Sequence, residues 1–406
     1  MRVPIHHDTN IESLLHKLNT DTCFLSDWNK ENDKLNFPPE IIQNAVAKNV
    51  SSHQNNYYFM DEMHETKQWL TKEVFEIDKI KKRNLSFAIS SNGTSTSYLL
   101  LNLFRIKKKL KVLFIAPIYF TYIKVLTDLK VETYYVEGMK EGKLHIDFEE
   151  LERSIVKNEV NLLIMNDPLF GSGVKITKDI YQKIVNICKN HEIILYIDFM
   201  YGGMDWDIDN LTIVNYDILN LFNIYSNIIV TESISKRLFL NGIKNCIVYG
   251  NEENIDFFEK ASVHTLGSLV YSQLTLLTQL YDRRNRTYVL NAIKENISYA
   301  KKNFELIQTM LMCSDYILSD CSSGYFCLMG IPYNKLNSNN NLDIARTLIE
   351  QINVLTIPHD RYLLKSTSHY YFRINLSMEQ SRLIPAIKKI VELLSLEDIR
   401  HLCLHD

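Results

Sequence analysis

The stretch EIILYIDFMY (192–201) decides the fold. It runs through five apolar or aromatic residues, from Ile193 to Ile197, before it reaches Asp198. A continuous apolar run of this length is typical of a strand that is buried on both faces of a sheet. The aspartate that ends the run needs a charged partner to offset its loss of hydration. The stretch therefore predicts a buried sheet with a ligand site at its carboxyl edge.

Six further runs of this kind alternate with amphipathic, helix-like segments. Such alternation favours an α/β fold with a mainly parallel sheet covered by helices on both faces. Side chains that follow the strands are therefore the candidates for a site. The runs are NLSFAIS (84–90), KVLFIAP (111–117), VETYYV (131–136), NLLIMND (161–167), SNIIVTE (226–232) and NCIVYG (245–250).

The two ends of the chain are helix-rich and contain only a few strand-like pieces, such as YFCLMGI (325–331). We expect these ends to pack together as a smaller α+β domain. The predicted division is an N-terminal arm and part of the small domain at 1–50, a large ligand-binding domain at 51–285 and a small C-terminal domain at 286–406.

Composition favours a globular protein that acts on a small molecule. The chain has 406 residues, of which 46% are hydrophobic, so it can bury a large core. Its 45 basic and 48 acidic residues give a net charge of −3, which offers no field for nucleic acid or an anionic membrane. No stretch approaches the roughly 18 apolar residues of a membrane-spanning helix, and the N-terminus lacks the apolar region of a secretion signal.

The seven cysteines are scattered and show neither a CxxC motif nor a Cys/His spacing suited to zinc. We therefore expect no metal site. A reducing cytoplasm is the simplest setting for such a cysteine pattern.

The first strand is followed by Gly93, Thr94 and Ser95, and then by an apolar helical pattern. Glycine lets the backbone approach an anion, the hydroxyls donate hydrogen bonds, and the helix N-terminus supplies free N–H groups. The loop is a candidate phosphate cradle. On these residues alone, a Ser/Thr-rich helix cap is an equal alternative.

Aromatic side chains and an acid follow two other strands. Tyr119 comes two residues after Pro117, and Tyr201 comes three residues after Asp198. Tyr119 could stack on a flat heteroaromatic ligand, and Asp198 could pair with a protonated pyridine nitrogen. Because the chain has 23 tyrosines, a place in the core is the alternative for Tyr119.

Cationic residues complete the candidate site. Lys236 ends the sequence Ser233-Ile234-Ser235-Lys236 directly after a strand, and Lys244 follows eight residues later. Burial and a neighbouring cation lower the pKa of an amine and make it a nucleophile toward carbonyls. Arg373 lies in the aromatic run HYYFRINLSM (369–378), where its guanidinium could bind a carboxylate with two hydrogen bonds. A structural salt bridge is the alternative for Arg373.

In order and spacing, these residues resemble the class I/II aminotransferases, the fold type I enzymes that depend on pyridoxal 5′-phosphate, over nearly the whole chain. The resemblance implies that Lys236, in an SxSK motif, forms a Schiff base with the cofactor. It also implies that Asp198 contacts the pyridine nitrogen and Tyr201 the phenolic oxygen. The other implied cofactor contacts are Gly93, Thr94, Ser95, Ser233 and Lys244 on the phosphate, Tyr119 on the ring, and Tyr58 on the phosphate of a partner subunit.

The sequence departs from the family in the loop that usually reads NPxNPTG. Here residues 167–173 read DPLFGSG, so Phe170 replaces an asparagine that hydrogen-bonds the phenolic oxygen of the cofactor. Without this bond, the pKa of the lysine–cofactor linkage should rise, unless Asn166 or a shift of the loop compensates. Two further departures follow Lys236: Lys244 replaces an arginine, and the segment RLFLNGIKN (237–245) keeps only one of two glycines.

The resemblance implies an aminotransferase that works as a homodimer on an α-amino acid and a 2-oxo acid. Lys236 would move the Cα proton, and Arg373 would bind the substrate α-carboxylate. Trp28 and Asn29 occupy the place of the family's mobile substrate loop, although packing of the small domain explains Trp28 equally well.

Two alternatives to transamination stay open on the sequence. A divergent enzyme of the same fold could act as an elimination or replacement lyase, a decarboxylase or an oxidase, since the cofactor supplies the chemistry in each case. A non-catalytic binding module is the other alternative, and the presence of both Lys236 and Asp198 disfavours it.

Overall fold

The computed structural model describes residues 14, 18–28, 39–51, 57–77, 85–312 and 314–403 of the chain. The strands in these ranges are β1 (Cys23–Phe24), β2 (Leu85–Ser90), β3 (Lys111–Ala116), β4 (Glu132–Glu137), β5 (Met139–Lys140), β6 (Lys143–Leu144), β7 (Leu162–Asn166), β8 (Ile194–Phe199), β9 (Ile228–Glu232), β10 (Cys246–Asn251), β11 (Ile317–Leu318), β12 (Phe326–Pro332), β13 (Val354–Leu355) and β14 (His369–Asn375).

Helices connect most of these strands. The α-helices are α1 (Pro39–Ser51), α2 (His64–Trp69), α3 (Gly93–Lys107), α4 (Phe120–Asp128), α5 (Phe148–Asn158), α6 (Lys178–Asn190), α7 (Tyr216–Leu221), α8 (Ile234–Arg237), α9 (Glu252–Thr265), α10 (Tyr271–Tyr281), α11 (Arg286–Leu311), α12 (Asn341–Ile352) and α13 (Gln380–Cys403). Short 3₁₀ segments lie at Met60–Glu62, Ile208–Asn210, Arg283–Asn285, Tyr333–Lys335 and His359–Tyr362, and a π-helical turn lies at Leu70–Val74. Within the described residues, no helix has the length and apolar character needed to cross a membrane.

The central sheet has seven strands in the order β2-β10-β9-β8-β7-β3-β4. Strand β10 is antiparallel to both of its neighbours, and the other adjacent pairs are parallel. Every residue of β8 is buried, as its continuous apolar sequence predicts. Each of the seven predicted runs overlaps one of these strands, so the predicted α/β class is confirmed.

The one antiparallel strand matters for the site. The chain leaves β9 at its carboxyl end, passes through residues 233–245 and returns along β10. Both ends of this connection therefore lie at the same edge of the sheet, which is the edge where β7 and β8 also end. The separation of Lys236, Lys244 and Asp198 in the sequence does not predict that they lie close together. The reversal of chain direction between β9 and β10 places them at the same edge of the sheet.

A second, smaller sheet contains β11, β12 and β14 in antiparallel order. Near it, β1 pairs in parallel with β13, so segments close to both ends of the chain are hydrogen-bonded to each other. The contribution of both termini to a smaller domain stays a prediction. The domain boundaries at 50 and 285 stay predictions.

A tight turn at Gly173 joins the sheet region to the segment before β12. The carbonyl of Gly173 accepts hydrogen bonds from the backbone N–H groups of Ser322 (2.9 Å) and Ser323 (3.0 Å). Its φ is +67°, and a Cβ at this position would lie 2.2 Å from Cys321 Sγ. Glycine is therefore required here for both conformation and space, and the turn fixes β12 and β14 relative to the edge of the large sheet.

A buried charge pair lies behind the Lys236 connection. Glu232, fully buried at the end of β9, accepts hydrogen bonds from Tyr281 Oη (2.9 Å) and Tyr249 Oη (3.2 Å). The buried Arg237 places Nη2 3.8 Å from Glu232 Oε1 and donates through Nη1 to the Ile213 carbonyl at 2.6 Å. Glu232 and Arg237 lie directly before and after residues 233–236, so the pair joins the two ends of this short segment, which carries Lys236.

Replacing one partner of this pair should destabilise the protein strongly. Glu232→Gln leaves the Arg237 guanidinium buried without a counter-charge, so we expect a loss of about 3 kcal/mol in the free energy of unfolding. Urea denaturation monitored by circular dichroism measures the loss. The control is Glu159→Gln at the surface pair of Lys111 and Glu159, which should cost far less because Glu159 is 81% exposed. Equal losses in the two variants would contradict the assignment of Glu232 and Arg237 as a buried charge pair that stabilises the fold.

Candidate active site

A cavity of about 370 Å³ opens at the carboxyl edge of the large sheet. Its size lies in the range of small-molecule and cofactor sites. The residues that line it lie at or follow the carboxyl ends of five strands, β2, β3, β7, β8 and β9, or, like Trp28, follow β1. Most of them are polar or aromatic. They are Trp28, Asn92, Gly93, Thr94, Ser97, Tyr119, Phe120, Asn166, Phe170, Asp198, Met200, Tyr201, Ser233, Ser235, Lys236, Leu240, Asn241, Lys244 and Asn245.

One end of the cavity is formed by the N-terminus of helix α3. Asn92 is the N-cap, and its Oδ1 accepts a hydrogen bond from the Ser95 backbone N–H at 2.9 Å. A Cβ on Gly93 would lie 2.8 Å from Met200 Cε, so the absence of a side chain lets the helix start close to β8. The helix dipole and the free N–H groups at this end attract an anion.

The Lys236 connection completes this end. Ser233 Oγ and Ser235 Oγ lie 2.7 Å apart, and each lies 3.1 Å from Asn245 Oδ1, so two hydroxyl hydrogens are shared among these three contacts. The Asn245 amide nitrogen is buried without a hydrogen-bond partner among the described residues. A buried donor without an acceptor is costly. With Lys244 beside it in the cavity wall, this donor fits a phosphate group.

Asp198 lies at the centre of the cavity, at the end of β8. Its Oδ2 accepts from Tyr122 Oη at 2.9 Å, and its Oδ1 accepts from the Met200 backbone N–H at 3.1 Å. Burial raises the pKa of its carboxyl group, and these two hydrogen bonds oppose that effect. A cation placed in the cavity would stabilise the carboxylate form, as a protonated ring nitrogen does.

Lys236 faces the same cavity. Its Nζ donates to Asn241 Oδ1 at 3.0 Å and lies 5.6 Å from the centre of the Tyr201 ring. The pKa of Lys236 is lowered to about 8, first by burial and second by the charge of Lys244, while Asp198 acts in the opposite direction. Part of the amine population is therefore neutral near neutral pH and able to attack a carbonyl or accept a proton.

An aromatic wall bounds the outer part of the cavity. The Phe170 ring lies 5.3 Å from Tyr119, 5.7 Å from Trp28 and 6.2 Å from Phe120, measured between ring centroids. Phe170 thus has a packing role with its neighbours at the position where the family has a polar amide. The space against this wall is suited to a flat or apolar group.

Arg373, on β14, lies directly behind this wall. It is fully buried, and its guanidinium carbon lies over the Trp28 ring, 3.5 Å from the ring centroid. Nη2 donates to the Ser26 carbonyl, while Nε and Nη1 have no hydrogen-bond partner among the described residues. Because unpaired buried donors are unfavourable, this guanidinium fits an incoming anionic group.

The structure brings together most of the residues that the sequence singles out. Ser95 does not line the cavity. Arg373 does not line it either, since its guanidinium is fully buried beneath the Trp28 ring. Tyr58 stacks on Tyr271, with ring centroids 4.8 Å apart, and lies outside the cavity of its own chain. Its predicted contact with a partner subunit stays a prediction. Asn29 lies outside the described residues.

The sequence analysis did not identify several residues that line the cavity or contact its side chains. Asn92 could have been found, since asparagine before an apolar helical pattern is a typical N-cap. Tyr122 carries no signal, since its hydroxyl reaches Asp198 only through the packing of α4 on the sheet. The other missed residues are Ser97, Phe120, Met200, Ser235, Leu240, Asn241 and Asn245.

Comparisons with known proteins agree with this geometry. The family model described as aminotransferase class I and II matches residues 28–390. No curated protein is detectably similar to the chain in sequence.

Solved structures share the fold at low sequence identity. An aspartate aminotransferase mutant from Thermus thermophilus superposes with a TM-score of 0.78 at 15% identity, covering 97% of each chain. An aromatic aminotransferase from Pyrococcus horikoshii gives 0.75 at 15% identity, covering 96% of this chain and 99% of its own. An Escherichia coli protein with a methionine aminotransferase function gives 0.74 at 15% identity, covering 95% and 96%.

The pKa of Lys236 can be tested without any ligand. Modification of its amine by formaldehyde and a reductant should rise with pH through about 8, well below the 10.5 of an ordinary lysine. Lys244→Gln removes a positive charge, so it should raise the midpoint by about 0.5 to 1 pH unit. Peptide mass spectrometry measures the modified fraction.

Lys178→Gln is the matched control for this experiment, because Lys178 is 63% exposed and does not line the cavity. It should leave the Lys236 midpoint unchanged. A Lys244→Gln midpoint equal to that of the unmodified sequence would show that Lys244 does not act on Lys236.

Proposed function

Because the chain belongs to the class I and II aminotransferase family, we propose that it transfers the amino group of an α-amino acid to a 2-oxo acid, using pyridoxal 5′-phosphate carried on Lys236. Members of this family are transferases that depend on this cofactor. The observation that carries the proposal is the shared cavity of Lys236, with its lowered pKa, and the buried Asp198. The proposal follows the family chemistry residue by residue.

The described residues fit the cofactor. Its phosphate would lie at the N-terminus of α3, near the unpaired Asn245 amide and Lys244. Asp198 would contact the ring nitrogen, and Tyr119 would contact the ring. When bound, the cofactor supplies an electron sink for the bonds at the substrate Cα.

The side chains of the protein supply the proton chemistry. Lys236, as a neutral amine, would accept the Cα proton and later return it. Its pKa of about 8 suits this role, because a general base works best when its pKa lies close to the working pH. Burial raises the pKa of Tyr201, so its hydroxyl stays protonated and able to donate to the phenolic oxygen of the cofactor.

Because Phe170 stands where the family has an asparagine, the site lacks a second hydrogen-bond donor to that oxygen. Asn166 does not offer an obvious replacement, because its Oδ1 accepts from the Tyr119 backbone N–H at 3.0 Å and its side chain also hydrogen-bonds Asp198. We therefore propose that Tyr201 is the donor on this side of the site. A lyase, decarboxylase or oxidase activity is the alternative that this departure keeps open.

Arg373 would bind the substrate α-carboxylate through its unpaired Nε and Nη1 donors. Trp28, which lies over the guanidinium, would then border the substrate. The wall of Trp28, Phe120 and Phe170 supports amino donors with apolar or aromatic side chains, since such groups lose water favourably there. Two of the solved relatives carry aromatic and methionine aminotransferase in their descriptions.

The remaining expectations concern the setting of the protein. We propose a homodimer, in which Tyr58 reaches the phosphate of the partner subunit, and a cytoplasmic location. The proposed division into a large domain at 51–285 and a small domain from both ends also rests on the family resemblance.

Attachment of the cofactor to Lys236 is the first test. After incubation with pyridoxal phosphate and borohydride reduction, the peptide containing Lys236 should gain the mass of the reduced cofactor. Lys236→Ala should lose the visible absorbance of the bound cofactor, while Lys175→Ala, at a half-buried ion pair with Asp205 that does not line the cavity, should keep it. If the protein without substitutions yields no peptide that carries the reduced cofactor, the proposed function is contradicted.

The same protein distinguishes the reaction types. With a panel of amino acids under anaerobic conditions, transamination should release the matching 2-oxo acid and leave the cofactor in its amine form. Release of ammonia or carbon dioxide with the starting absorbance restored would instead identify a lyase or a decarboxylase.

Arg373 should govern binding of the substrate carboxylate. Arg373→Lys keeps a positive charge but loses the planar donor set, so kcat/KM for the best amino acid should fall about 10- to 100-fold. Steady-state kinetics measures the change, and unaltered cofactor absorbance shows that the variant is folded. An equal fall for a primary amine that lacks the carboxylate would contradict this role.

A further inference from the structure

Asn241 lies between two parts of the site that the family chemistry treats separately. Its Oδ1 accepts a hydrogen bond from Lys236 Nζ at 3.0 Å, and its Nδ2 donates to the Trp28 backbone carbonyl at 3.2 Å. Asn241 is partly exposed and lines the cavity. One side chain thus contacts both the proposed nucleophile and the segment that covers Arg373.

The orientation of this amide follows from the chemistry of its two partners. The Trp28 carbonyl can only accept a hydrogen bond, so the amide nitrogen of Asn241 must face it. The amide oxygen then faces Lys236, whose ammonium form can only donate. A reversed amide would bring two acceptors together at Trp28 and two donors together at Lys236, so the arrangement has a single favourable state.

The segment that ends in Trp28 is attached to the smaller sheet region. The Leu25 backbone N–H donates to the Leu355 carbonyl at 3.0 Å, and the Leu25 carbonyl accepts from the Asn375 N–H at 2.7 Å. Ser26 Oγ accepts from the Ile357 N–H at 3.0 Å. Residues 25–28 therefore belong structurally with β13 and β14, and Asn241 bonds their end to the connection that carries Lys236.

We propose that Asn241 is a positioning residue that holds the free amine of Lys236 in the cavity and ties it to the segment 25–28 over Arg373. The inference rests on the proposed function, because it assigns the amine and the guanidinium their roles in catalysis. Whenever Lys236 Nζ is not bonded to a carbonyl carbon, Asn241 gives it a fixed acceptor. The same amide keeps Trp28 against the carboxylate-binding guanidinium.

The charged and titratable groups around the amine are few. Lys244 faces Lys236 from the far end of its own connection, Asp198 faces it from the end of β8, and Tyr201 faces it from the residues that follow β8. Asn241 is neutral, so its substitution tests the hydrogen bond without altering these charges. Substitutions at this one position can therefore be designed to shift the pKa of Lys236 in opposite directions.

The test compares Asn241→Leu and Asn241→Asp in the ligand-free modification assay of Lys236. Leucine removes the acceptor of the ammonium form and should lower the pH midpoint, whereas aspartate keeps an acceptor, adds a negative charge and should raise it. We expect shifts of about one pH unit in opposite directions. Asn220→Leu, at an exposed asparagine of α7, should leave the midpoint unchanged.

Steady-state kinetics tests the contact with Trp28. Both variants lack the donor to the Trp28 carbonyl, so KM for the amino acid should rise about 10-fold in both, while kcat should follow the Lys236 midpoint and so differ between them. A role in folding alone would not produce opposite midpoints.

Each result has a defined meaning. Unchanged midpoints, or midpoints that move in the same direction, would overturn the assignment of Asn241 to Lys236. Unchanged KM values in both variants would overturn the tie to the segment 25–28. Failure of the unmodified protein to attach pyridoxal phosphate would overturn the proposed function alone, since the modification assay uses no cofactor.

Discussion

The desolvation of one carboxylate, that of Asp198, is the constraint on which the site depends. A carboxylate at the end of a strand buried on every side loses its hydration and must recover that free energy from neighbours. Here Tyr122 and the Met200 backbone supply hydrogen bonds, yet the pKa stays raised. The cavity beside it is therefore built to receive positive charge, and a protonated pyridine ring meets that requirement.

The cationic groups of the site also lose hydration on burial, but for them burial lowers the pKa instead of raising it. Lys236 and Arg373 are both held in apolar or aromatic surroundings, which disfavours their charged forms. For the lysine this yields a usable neutral amine. For the arginine it leaves donors without partners, which an anionic substrate group can satisfy. Burial thus suits Lys236 to the proposed proton transfer and Arg373 to the proposed binding of an anion.

The departures from the family pattern form a connected set. Phe170 belongs to an aromatic wall with Trp28, Tyr119 and Phe120 rather than acting as an isolated substitution. Trp28 in turn covers Arg373 and is bonded through its carbonyl to Asn241. Phe170 thus lies on the proposed substrate side of the cavity, whereas the other two departures, Lys244 and the segment 237–245, lie on the Lys236 connection. The proposed phosphate end nevertheless keeps the helix terminus, Ser233 and a basic residue.

The sequence by itself determined the sheet and several polar residues at its edge, because continuous apolar runs that alternate with amphipathic segments are typical of buried strands, and candidate side chains stand at the ends of most of these runs. Asp198, Lys236 and Gly93 were found in this way. It could not identify Tyr122, Asn241 or the true surroundings of Arg373, since these depend on contacts between segments far apart in the chain. Only the tertiary structure decided which donors were left without acceptors, because hydrogen-bond satisfaction is a property of packing and not of local sequence.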